Sequence, residues 1–112
     1  MNVNIIREID YEAKCYKDVK MKLRNLSMSE NRKSQIYHRK TKTKSAQIEF
    51  DLDVMFSYMV FDITGLTVTD EGKKVIEIKT GQDILDNPGL NDLYNELVPV
   101  LIDMEARVDS KN

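Results

Sequence analysis

The sequence predicts an α+β fold: a mainly helical single domain with a short β-strand near the N-terminus and a β-hairpin around residues 66–79. Three observations carry this. Residues 19–26 alternate apolar and basic side chains as a half-buried strand does. Leucines recur at helical spacing through the C-terminal segment. Between them, two β-branched runs flank a glycine-bearing turn. With 112 residues there is room for one hydrophobic core, so 1–112 is read as one domain, with 1–16 and 109–112 loosely ordered.

At the N-terminus, Val3, Ile5, Ile6 and Ile9 form an apolar cluster suited to a strand, while Tyr11 to Tyr16 follows no clear period. In the strand Val19 to Leu26, Val19, Met21 and Leu23 share one face and Lys20, Lys22 and Arg24 the other. Ser27-Met28-Ser29-Glu30 then spells a capping box, in which the Ser27 hydroxyl accepts from the Glu30 amide and the Glu30 carboxylate reaches back to Ser27. The helix it starts is basic and packs only through Ile36 and Tyr37. Thr41 and Thr43 weaken it, so it is predicted to fray near residue 42, with Lys40 to Lys44 an exposed connection.

Ser45 to Gly65 is the most apolar stretch and gives conflicting signals. Ile48 to Val54 alternates as a strand would, but Met55 to Ile63 does not, and the whole exceeds the usual strand of about 5 to 6 residues. Length favours a helix. On a helical wheel Ile48, Leu52, Met55, Met59 and Ile63 form one apolar stripe, and Phe50, Val54, Tyr58 and Phe61 a second. Two stripes call for two neighbours, the domain core and a partner subunit. Phe50, Val54, Tyr58 and Phe61 are therefore the candidate protein-interaction residues.

Gly65 suits the end of that helix. Thr67-Val68-Thr69, the turn Asp70-Glu71-Gly72 and the run Lys73 to Lys79 predict a hairpin, with Gly72 supplying a positive φ. Thr80 is placed to cap a short helix over Gln82 to Leu85, and Asn87-Pro88-Gly89 reads as a turn. Leu90, Leu93, Tyr94, Leu97, Leu101, Met104 and Val108 then trace one helical face, which Pro99 is expected to kink or divide.

Charge is unevenly spread. The net charge is -2, but residues 1–46 carry 12 Lys and Arg against 5 Asp and Glu, whereas residues 47–112 carry 5 against 14. Halves of +7 and -9 suit head-to-tail contact between copies, although ordinary solvated surface also accounts for them. The basic residues Arg32, Lys33, Arg39, Lys40, Lys42 and Lys44, interleaved with Tyr37 and His38, resemble a phosphate-neutralising patch. A solvated helix face is the plainer reading, and the acidic half would repel the same phosphates.

Catalytic and metal chemistry finds few materials. The single cysteine, Cys15, and the single histidine, His38, stand apart, so no zinc spacing or disulfide is formed. Four glycines at 65, 72, 81 and 89 make no phosphate-binding loop. Glu49, Asp51 and Asp53 lack the glycine-centred loop of a calcium site. No run approaches the roughly 18 apolar residues of a membrane span, and the N-terminus lacks a signal-like pattern. The expectation is a non-enzyme of a reducing cytosol, with no cofactor, metal, membrane or nucleic-acid requirement.

Taken in order, VKMKLRNLSMSE, MFSYMVFDITGLTVTDEGKKV and LNDLYNELVPVLIDMEARV resemble the tail assembly chaperones of long-tailed bacteriophages. The likeness covers roughly residues 18–108 and rests on a basic segment leading into the capping box, an amphipathic middle helix before a glycine-bounded hairpin, and a closing Leu93/Leu97/Leu101 helix. It implies a non-enzymatic protein of the host cytoplasm that forms homo-oligomers, keeps the tape measure protein soluble, helps recruit tail tube protein and is absent from the finished virion. It also implies that a ribosomal slip can extend the product; Ser110-Lys111-Asn112 is compatible with a slippery A-AAA-AAC run. Six methionines suit adaptable contacts or core filling equally. The alternative reading is a small nucleic-acid-binding or regulatory protein using the basic segment 32–44.

Overall fold

Alternating side chains put Lys20–Arg24 at the centre of the main sheet, where its apolar face can be covered and its basic face remains accessible. A computed structural model describes the backbone of residues 7–38 and 47–109 and, within these, the side chains of residues 7–35 and 51–106. In chain order the elements are β1 (Glu8–Glu12), β2 (Lys20–Arg24), α1 (Met28–Lys33), β3 (Gln35–His38), β4 (Gln47–Phe50) and α2 (Leu52–Met59). There follow β5 (Val60–Thr64), β6 (Thr67–Thr69), β7 (Val75–Glu77), α3 (Gly81–Leu85), a 3-10 turn over Pro88–Leu90 and α4 (Asn91–Asp109). The α+β class holds, but strands take a larger share than a mainly helical domain implies.

Three antiparallel strands in the order β1-β2-β5 form the main sheet; β3 pairs with β4 and β6 with β7. Val19, Met21 and Leu23 are buried as their spacing predicts. Against them pack Met55, Phe56 and Met59 from α2, and Leu93, Leu97, Leu101 and Met104 from α4. Pro99 does not divide α4. It sits on the exposed side, where solvent can satisfy the Asn95 carbonyl that loses its amide partner.

The capping box forms as predicted: Glu30 N–H donates to Ser27 Oγ at 3.2 Å, and Ser27 N–H donates to Glu30 Oε1 at 2.9 Å. The helix it starts, however, ends at Lys33 and does not run to residue 42. Buried Ser34 turns the chain, its amide and hydroxyl both donating to the Glu30 carbonyl. Gln35–His38 then pairs antiparallel with Gln47–Phe50, so cross-strand pairing displaces helix over the basic segment. The expected exposed connection at Lys40 to Lys44 lies outside the described residues.

The long middle helix is also corrected. Asp51 caps α2 by accepting from Asp53 N–H at 3.0 Å and Val54 N–H at 3.3 Å, so the helix begins only at Leu52. It ends after eight residues, because β-branched Val60 adopts the extended conformation (φ -105°, ψ 123°) and opens β5. Residues 48–63 are thus strand, helix and strand. β5 carries a bulge: Phe61 faces Lys22 and Thr64 faces Lys20, leaving one extra residue, with Asp62 at φ 50°. The bulge lets both Val60 and Ile63 point into the core.

Gly65 closes β5, not a helix; at φ 82° it passes so near the Asp18 carbonyl that an added Cβ would lie 2.2 Å from the oxygen. The predicted hairpin follows, with Thr67 facing Glu77 and Thr69 facing Val75. Its positive φ falls on Lys73 (62°), not on Gly72. Thr80 caps α3 in a second capping box with Asp83. At the N-terminus, residues 1–6 lie outside the described residues, while Glu8–Glu12 pairs along the whole of β2.

Candidate functional site

Among the described residues, the densest arrangement of charged side chains lies on the main sheet. The outer face of the main sheet carries two stripes of opposite sign: Glu8, Asp10 and Glu12 on β1 face Arg24, Lys22 and Lys20 on β2. Lys22 Nζ reaches Glu8 Oε1 at 3.7 Å, both side chains being about half exposed. Beside these stripes runs an open groove of about 880 Å³, lined by Asp10, Glu12, Lys20, Lys22, Phe61 and Lys79 among others. Phe61, with Tyr11, Met21 and Ile63, brings apolar surface into a groove rimmed by charged side chains, a combination of apolar centre and polar rim found in contact faces.

The four candidate interaction residues do not form one stripe. Phe50 belongs to β4 and its side chain lies outside the described residues. Val54 and Tyr58 are one turn apart on α2, both half-buried, with Tyr58 packed against the core. Phe61 stands apart in the groove on β5. The end of α2 at Met59 separates it from the other two.

The basic patch is also divided. Arg32 and Lys33 are exposed in the last turn of α1. Arg39, Lys40, Lys42 and Lys44 lie outside the described residues, in the connection between β3 and β4. The two strands of this ribbon pair with each other and make little contact with other elements. At its base Asp51 N–H donates to the Ser34 carbonyl at 2.7 Å.

Behind the sheet, Glu96 of α4 ties down the loop after β1. It accepts from Tyr11 OH at 2.6 Å and from the amides of Lys14 and Cys15 at 2.8 and 2.9 Å. Burial pushes the Glu96 carboxyl up, but these hydrogen bonds outweigh it and hold the group at about 2. Tyr11 is pushed up to about 12, first by burial and then by its bond to Glu96. The exposed Cys15 thiol rises to about 11, by desolvation first and then by the same carboxylate. A thiol so far above neutrality is a poor nucleophile. Nearby, Tyr94 OH donates to Asp53 Oδ1 at 2.8 Å and its ring lies 4.9 Å from that of Phe56, joining α4 to α2.

Asn25, fully buried, donates to the Met104 carbonyl at 3.0 Å and to Glu105 Oε2 at 2.8 Å, while its Oδ1 has no partner among the described residues. Among those residues no group of three or more His, Cys, Asp and Glu is placed to hold a metal ion. No helix among them is long and apolar enough to cross a membrane.

Compared with family models, curated proteins and solved structures, the chain matches none. The site elements that sequence reasoning missed are the acidic edge strand and the Glu96 clasp. Glu8-Ile9-Asp10-Tyr11-Glu12 alternates as plainly as β2 does, and that period was the available signal. Nothing local marks Glu96, whose partners lie more than 80 residues away.

Proposed function

We propose that this protein is a non-enzymatic phage tail assembly chaperone that self-associates, binds the tape measure protein in the host cytoplasm, keeps it soluble and helps recruit tail tube protein. The observation that carries the reading is the order and spacing of three segments over residues 18–108. Support comes from an open groove with Phe61 among charged residues, a surface suited to an extended amphipathic client. The short α2 departs from the long middle helix that the resemblance implies. Co-expression with a neighbouring gene for a long coiled-coil protein tests the reading. The client is expected in the soluble fraction only when this protein is present; equal solubility without it overturns the proposal.

A second reading, a small nucleic-acid-binding or regulatory protein, draws on one observation. The β3-β4 ribbon leads into a connection carrying Arg39, Lys40, Lys42 and Lys44, and basic β-ribbons can enter nucleic-acid grooves. Binding to generic duplex with a steep salt dependence would favour it.

A further inference from the structure

Among the described residues, the main sheet ends in an open edge at β1. Asn25 N–H donates to the Arg7 carbonyl at 3.0 Å and Ala13 N–H to the Val19 carbonyl at 2.9 Å, in the same register as the β1-β2 pairs. In an antiparallel ladder, hydrogen-bonded pairs alternate, so residues 7, 9, 11 and 13 exchange bonds with β2. The amides and carbonyls of Glu8, Asp10 and Glu12 therefore point away from the sheet, and all three residues are exposed. An edge of this kind is a template for another strand.

Its side chains state which strand it takes. On β1 the acids stand at every second position, and β2 meets them from one side with Lys20, Lys22 and Arg24 at the same spacing. Pairing β1 with its own copy, antiparallel about Asp10, would set Glu8 against Glu12 and Asp10 against Asp10, a destabilising arrangement. A phosphate backbone is repelled for the same reason. Elsewhere in the chain, Lys40-Thr41-Lys42-Thr43-Lys44 repeats the basic spacing of β2, with β-branched threonines between the lysines. With Lys42 opposite Asp10, an antiparallel strand brings Lys40 to Glu12 and Lys44 to Glu8.

We propose that the free edge of β1 receives residues 40–44 of a second copy of this chain as an added strand. The proposal deepens the self-association in the function proposed above and supplies its interface. Among the described residues, the β3-β4 ribbon springs from the α1-α2 junction and makes little contact with β1, and the donor is taken from another molecule. Each copy then has one donor segment and one acceptor edge. Such a contact is heterologous and builds rings or open chains, not a closed pair by default.

Cross-linking of the full chain tests this. In a Cys15→Ser background, Asp10→Cys and Lys42→Cys variants carrying tags of different size are mixed and mildly oxidised. The mixed disulfide is expected to dominate over either homodimer. In parallel, sedimentation should show self-association that weakens with salt and falls by about tenfold or more in the Lys40→Glu/Lys42→Glu/Lys44→Glu variant, whose changes leave every described element intact. Mixed disulfides no more abundant than homodimers, an Asp10→Cys/Lys42→Cys chain that cross-links only within itself, or undiminished association of the triple variant would each overturn the inference. So would a triple variant that loses duplex binding while its association is unchanged. A monomeric chain that still keeps the client soluble sinks this interface and leaves the chaperone reading standing; an associating chain that leaves the client insoluble does the reverse.

Discussion

Arg24 grips Glu30 through two parallel hydrogen bonds, Nη1 to Oε1 and Nη2 to Oε2, each 2.7 Å long. Because Glu30 also completes the capping box with Ser27, the end of β2 and the first turn of α1 are locked by one carboxylate. Both side chains are mostly shielded, at 24% and 19% exposed, so the pair is screened less than a surface bridge. Glu30→Gln keeps the shape but loses the charge, and is expected to lower stability by about 1–3 kcal/mol in denaturant titration.

Acid should unfold the protein in a defined window. The bond from Arg24 lowers the Glu30 carboxyl to about 2, and hydrogen bonds hold Glu96 at about 2 against its burial. Both folded values lie below the unfolded value of about 4.3, so the unfolded chain binds protons first. The stabilisation is complete above that value and disappears as pH falls towards 2, on the order of 2 kcal/mol for each group. Chemical denaturation at a series of pH values from about 6 down to about 2 checks this, the midpoint falling steadily below the unfolded carboxylate value. Glu96→Gln should remove part of the slope and loosen the loop from Ala13 to Asp18.

The bulge in β5 makes an asymmetric forecast for Asp62, which sits at φ 50°. Asp62→Gly should be neutral or stabilising by up to about 1 kcal/mol, whereas Asp62→Val should cost about 1–3 kcal/mol. Gly65→Ala should cost at least as much as the valine, since it meets the left-handed conformation and the Asp18 carbonyl together. Thermal melts of the three variants decide.

Two phenylalanines five residues apart should behave differently. Phe56 is fully buried, and Phe56→Ala is expected to cost about 3–5 kcal/mol. Phe61 lines the groove, so Phe61→Ser should change stability by less than about 1 kcal/mol while reducing the client held soluble in co-expression. Equal client retention by Phe61→Ser and the parent chain would exclude the groove as the contact surface.

Where one local rule governed an element, the sequence was readable. Ser27 with Glu30, Thr80 with Asp83, the turn at Asp70 and the leucines of α4 each announce their structure within a few residues. The stretch from 45 to 65 was not readable because the bulge at Asp62 spaces Val60 and Ile63 three apart, a helical interval produced inside a strand. Likewise Gln35–His38 becomes a strand only by meeting Gln47–Phe50, a partner that lies beyond any helical window. For the same reason the four candidate residues do not share one helical face. A wheel drawn through Phe50 to Phe61 assumes one axis where the chain changes direction twice.

The short bond between Asp51 and Ser34 has a consequence for how this fold can change over time. Because the chain leaves and re-enters at almost the same point, residues 35–50 form an insert whose length the rest of the molecule hardly registers, closure entropy growing only slowly with loop size. A tight turn could stand in its place, and a longer finger could grow from the same socket. The fold thus carries this insert on a mount, the Ser34–Asp51 closure, that does not depend on what the insert contains.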